Sequence, residues 1–88
     1  MVDISIAITA YNSAAFIDRS IRSCLDQTAG RLDLEIIVVD DGSTDETSKI
    51  LSKFGDAIRV ETFKSNRGVG AASAAALNHA TGKYFMRV

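Results

Sequence analysis

Short apolar runs alternate with amphipathic stretches along this chain, and each change of period marks a change of element. Ile4 to Thr9 (ISIAIT) is β-branched and almost continuously apolar, as a strand covered on both faces should be. Beyond Tyr11-Asn12-Ser13, the residues Ile17, Ile21, Cys24 and Thr28 recur at helical spacing. Asp18, Arg19, Arg22 and Asp26 take the other side, and Gly30 is the expected stop. Leu34 to Val39 (LEIIVV) is a second buried-strand run, broken by Asp40-Asp41-Gly42-Ser43. Ser43 and Glu46 have the spacing of a capping box, and Thr47, Ile50, Leu51 and Phe54 then share one helical face up to Gly55. Ala57 to Phe63 (AIRVETF) alternates, with Ile58 and Val60 on one side and Arg59 and Glu61 on the other, which suits a strand nearer an edge. Val69 to Ala80 is an Ala-rich third helix stopped by Gly82, and Tyr84 to Val88 (YFMRV) reads as a fourth strand.

Strands and helices in strict alternation require crossover connections and a parallel sheet. The expectation is a Rossmann-like, three-layer α/β half-domain. Its parallel sheet would have about four strands in the order 3-2-1-4, with three helices and a topological switch between the first and fourth strands. Ligands of such sheets bind beyond the carboxyl ends of the strands. Two polar clusters fall there: Thr9-Ala10-Tyr11-Asn12 after the first strand, and Asp40-Asp41-Gly42-Ser43 after the second. Residues 1–88 read as one small domain. The final apparent strand has no turn or cap after it, so the sequence also reads as truncated.

Composition narrows the classes. At 47% hydrophobic and 24% charged residues, the chain has the make-up of a folded globular domain. Its net charge of −1 is spread without a basic stripe, which argues against nucleic acid as a partner. Nothing approaches the roughly 20 apolar residues of a membrane span. The N-terminal MVDISIAITAY lacks the basic region of a signal peptide. The one cysteine, Cys24, lies on an apolar helix face as a small core residue. The expected location is cytoplasmic.

Paired carboxylates at the rim of a crevice repel a diphosphate but suit neutral donors, such as the N–H of a base edge or ribose hydroxyls. Tyr11 beside them offers a flat apolar face for stacking, or a half-buried ring closing the sheet end. Asp40 and Asp41 equally fit a solvated turn at a helix N-terminus. Arg67, in a Gly-containing loop, is either a cation for phosphates or a solvated loop residue. Asn12 and Ser13 are helix starters or ligand contacts, and Asn66 is a turn residue. His79 near a helix C-terminus serves the dipole or packing. Gly68-Val69-Gly70 fails the dinucleotide fingerprint because Ser73 stands where the third Gly belongs, and the Asp-Asp-Gly run fails the calcium-loop template.

Four segments, in order, resemble family 2 glycosyltransferases. They are Ile6-Ala7-Ile8-Thr9-Ala10-Tyr11-Asn12, Ile37 to Thr47 (IVVDDGSTDET), Asn66-Arg67-Gly68, and Ala80 to Val88 (ATGKYFMRV), the last resembling that family's run into its DxD motif. The resemblance implies a GT-A fold and an inverting transfer from a nucleotide sugar, a UDP-sugar, to a hydroxyl of a glycan or lipid acceptor. The setting would be polysaccharide or glycoconjugate synthesis. It further implies a divalent cation, Mn or Mg, held by the DxD. By residue-wise carry-over, Thr9 and Tyr11 line the base pocket and Asp41 accepts from the base N–H. Asp40 supports the loop or the ribose, and Arg67 lies near base or phosphates. The chain departs from the family pattern in having no Pro and in carrying Ala72 to Ala76 (ASAAA) where Arg-Asn or Asn is common. Metal ligands and catalytic base would both fall beyond Val88. The chain alone is then expected to bind no metal and to be inactive, a nucleotide-binding module or an inert fragment. A fourth strand at the sheet edge also raises self-association.

Overall fold

The computed structural model describes residues 1–26 and 32–88, so Thr28 and Gly30 lie outside the described residues. Four parallel strands form one sheet: β1 (Ile4–Ala10), β2 (Leu34–Asp40), β3 (Arg59–Thr62) and β4 (Tyr84–Arg87). Their order is β3-β2-β1-β4, as expected, with the topological switch between β1 and β4. Helices α1 (Ile17–Asp26) and α2 (Thr47–Ser52) contribute to one core layer, and α3 (Val69–His79) to the other.

The period of 2 in β1 and β2 divides the core between the faces. Ile6, Ile8, Ile36 and Val38 pack with Ile17, Ile21, Cys24 and Leu51 beneath α1 and α2. Ala7, Ile37 and Val39 pack with Phe63, Ala72 and Ala76 beneath α3. Burial of both faces explains the continuous apolar runs, and a fully buried side chain such as Ile37 contributes about 1.5–3 kcal/mol. The small side chains of α3 let its backbone approach the sheet closely. Burial also pushes the Cys24 thiol up from its ordinary value, in keeping with a core role.

Three local expectations change. Ser43 and Glu46 do not form a capping box: Glu46 occupies the N-cap of α2 without a side-chain bond. Asp45 takes that part, its Oδ1 accepting from the Thr47 N–H at 2.9 Å and hydroxyl at 2.5 Å. Helix α2 then ends at Ser52, and Phe54 lies in the turn before a short 3-10 segment, Gly55–Ala57. Finally, β3 is shorter than its alternating run. Ile58 precedes it and is buried, whereas Val60 is 44% exposed because an edge strand has no outer neighbour.

A polar network fastens the far end of α3. Glu35 Oε2 accepts from Ser5 Oγ (2.6 Å), the Thr81 N–H (2.8 Å) and Thr81 Oγ1 (2.9 Å), while Glu35 also faces Arg59 at 3.7 Å. Arg59 in turn donates to the His79 carbonyl, and His79 Nε2 lies 2.5 Å from Glu61. Gly82 is required here: a Cβ would come within 2.6 Å of the Ser5 nitrogen.

Candidate functional site

The two polar clusters do meet in space. Register pairs Thr9 with Val39 and Ala10 with Asp40, which sets the loops after β1 and β2 side by side. Asn12 joins them from a left-handed conformation, φ +49°, which Asn tolerates better than most residues. Its N–H donates to Ser43 Oγ (2.9 Å), and its Oδ1 accepts from the Thr44 N–H (2.8 Å). The Ser13 N–H reaches buried Thr47 Oγ1 at 2.9 Å, and the Ala14 N–H reaches Asp45 Oδ2 at 3.2 Å. Asn12 and Ser13 thus fasten one loop to the other, which their local sequence did not reveal.

Asp40 and Asp41 go opposite ways. Alternation sends Asp40 to the side of Ile36 and Val38, where Oδ1 accepts from the Ser43 N–H at 3.1 Å. Its Oδ2 has no hydrogen-bond partner among the described residues. Asp41 turns toward the loop that leads into α3. Its Oδ1 accepts from the Arg67 N–H at 2.6 Å and its Oδ2 from the Gly68 N–H at 2.9 Å. The Asp-Asp-Gly turn can approach that loop only through Gly42, at φ +74°, where a Cβ would stand 2.5 Å from the Ser65 carbonyl carbon.

An open cavity of about 340 Å³ lies at this junction, lined by Thr9, Ala10, Tyr11, Ser13, Asp41, Asn66, Gly68 and Val69. Of the sequence candidates, Thr9, Tyr11 and Asp41 come together there. Tyr11 is half exposed, its backbone held by paired bonds with Ser13 Oγ at 3.2 Å. Asp40 supports the loop from behind. The Arg67 guanidinium lies 4.4 Å over the Phe63 ring, while its neighbours Asn66 and Gly68 line the cavity. Gly68 could have been found from the carboxylate of Asp41, which needs donors and finds them in the Arg67 and Gly68 N–H groups of this loop.

The divalent cation implied by the resemblance does not fit this set of residues. Both oxygens of Asp41 hold backbone N–H groups, and Asp40 faces the other side of the sheet. Among the described residues no three His, Cys, Asp or Glu side chains are grouped to hold a metal. No described helix is long and apolar enough to cross a membrane.

Comparison with known proteins bears on the family and the fold. The family model described as "Glycosyl transferase family 2" matches residues 5–88. The chain is 43% identical over 83 residues to a chondroitin synthase of Pasteurella multocida, covering 92% of this chain but 8% of that protein. Among solved structures, S. aureus TarS 1-349 in complex with UDP-GlcNAc superposes with a TM-score of 0.89 at 30% identity, over 99% of this chain and 26% of that one. The mannosyltransferase PcManGT from Pyrobaculum calidifontis, in complex with GDP-Man and Mn2+, gives 0.81 at 29% identity, over 91% and 25%.

Proposed function

This chain belongs to glycosyl transferase family 2, and we propose that its crevice holds the nucleoside end of a UDP-sugar donor. The observation that carries this reading is the cavity at the ends of β1 and β2. There a half-exposed aromatic ring, a Thr and a buried carboxylate converge. Tyr11 offers the stacking face and Thr9 a hydroxyl. Each oxygen of Asp41 already accepts one backbone N–H and keeps a lone pair for a donor on the base edge. Asp40 and Gly42 hold the turn that presents Asp41. Similarity to TarS, whose solved structure contains UDP-GlcNAc, supports a UDP-type donor.

The whole reaction in this reading is an inverting transfer to an acceptor hydroxyl in polysaccharide or glycoconjugate synthesis. The base that deprotonates the acceptor and the groups that hold a cation are not supplied by these residues. A divalent ion, as found with PcManGT, would neutralise the donor's diphosphate. The chain by itself therefore binds nucleotide and transfers no sugar. We also infer that copies of the chain associate through the β4 edge, where Tyr84 and Met86 are exposed.

Titration of the isotope-labelled chain with UDP tests the binding reading. Amide shifts concentrated at Thr9–Ser13, Asp41 and Asn66–Gly68 are expected. A well-dispersed spectrum that ignores UDP and UDP-sugars would overturn it.

A further inference from the structure

The crevice continues past the nucleoside cavity. A second cavity, of about 370 Å³, is lined by Ala7, Thr9, Val69, Ser73, Arg87 and Val88. Thr9 and Val69 line both, so the two cavities adjoin between the end of the sheet and the start of α3. They carry opposite charge. Asp41 lines the first, and Arg87 lines the second.

Arg87 reaches that position through the register of the fourth strand. It pairs with Ala7, and Ala7 and Thr9 share the α3 face of β1. Its Nη1 donates to Ser73 Oγ at 3.0 Å, which holds the head group beside α3. That bond uses one of five donors and leaves most of the planar fork open. Arg67, by contrast, is stacked on Phe63.

A nucleoside diphosphate has the same polarity as these two adjoining cavities: a base and ribose with neutral donors, then a run of anionic oxygens. A carboxylate repels those oxygens, whereas a guanidinium binds them with paired, charge-assisted hydrogen bonds. We propose that Arg87, held by Ser73, is the direct diphosphate contact of this crevice and orients the nucleotide with its base toward Tyr11 and Asp41. The proposal rests on the nucleotide reading above and adds a residue that reading does not use.

Calorimetric titration of the chain with uridine and with UDP, in EDTA to remove metal, separates the two. Wild-type chain should bind UDP about tenfold more tightly than uridine, the scale of one charge-assisted contact. Arg87→Ala and Arg87→Gln should bind both ligands with the affinity of uridine. The Gln variant keeps a donor for Ser73, and dispersed amide spectra establish that each variant is folded. Retention of the UDP advantage in the folded variants would overturn the assignment of Arg87. Equal binding of uridine and UDP by wild type would also overturn it, while leaving the nucleoside site standing. Absence of binding by either ligand would overturn the nucleotide reading and this proposal together.

Discussion

Asp41 is buried to 5% exposure, and both its oxygens accept backbone N–H groups from the loop before α3. In the proposed reading, ligand recognition and loop position are joined in one side chain. Asp41→Asn replaces one acceptor with an NH₂ group that faces a backbone N–H. The expected cost is about 1–3 kcal/mol, the penalty of a buried donor left without its acceptor. Urea denaturation checks that figure, and UDP affinity should fall in the same variant. Asp40→Asn is milder in binding, because Asp40 faces away from the cavity and Oδ1 can go on accepting from Ser43. Sequence could pair these two acids as neighbours but could not orient them. Strand alternation decides that, and the decisive partners, Arg67 and Gly68, are 26 and 27 residues away. Arg87 escaped for a related reason: within an apolar run it reads as a strand residue, and only the register beside Ala7 brings it to the crevice.

The strands and helices themselves were legible because both faces of β1 and β2 are buried, which forces continuous apolar runs that no loop would carry. Caps were less so. Ser43 had two possible partners, a helix start nearby and the Asn12 N–H of another loop, and the long-range bond won. Asp45 then took over the cap. Its carboxyl lies below the ordinary 3.8, first through the Thr47 hydroxyl and then through the Thr47 and Ala14 N–H groups, despite some desolvation. Burial raises Glu35, but bonds from Ser5 and Thr81 and the charge of Arg59 outweigh it, leaving that carboxyl below 4.5. Both folded values are depressed, so these groups stabilise the fold fully above their unfolded values and lose that contribution as pH falls through the folded ones. The urea midpoint should hold steady from about pH 7 to about pH 5 with respect to these two groups and drop below about pH 4. Glu35→Gln should lower stability at neutral pH and flatten part of the acid drop, which a pH series of denaturation curves measures.

At the scale of the molecule, the sheet has two unlike edges. Order places β3 on one side and β4 on the other, each an outer strand with no further strand beside it among the described residues. The β3 edge carries Arg59 and Glu61, already engaged with Glu35 and His79, and charge at an edge opposes pairing. The β4 edge is different on its two faces. Phe85 and Arg87 turn to the α3 side, into the core and the crevice. Tyr84 and Met86 turn the other way, 62% and 51% exposed, and Met86 joins Ile6 and Cys24 in lining an apolar cavity of about 430 Å³ beside α1. A strand edge whose one cation, Arg87, turns to the α3 side, next to the exposed apolar surface of Tyr84 and Met86, favours pairing with a second copy. Light scattering should therefore show the mass of the purified chain rising with concentration. Met86→Lys should return it toward the monomer, while Val60→Lys on the opposite edge should leave the association as it was. If Val60→Lys abolishes the association and Met86→Lys does not, the contact lies at β3. A mass fixed at the monomer across the concentration range overturns the association through β4.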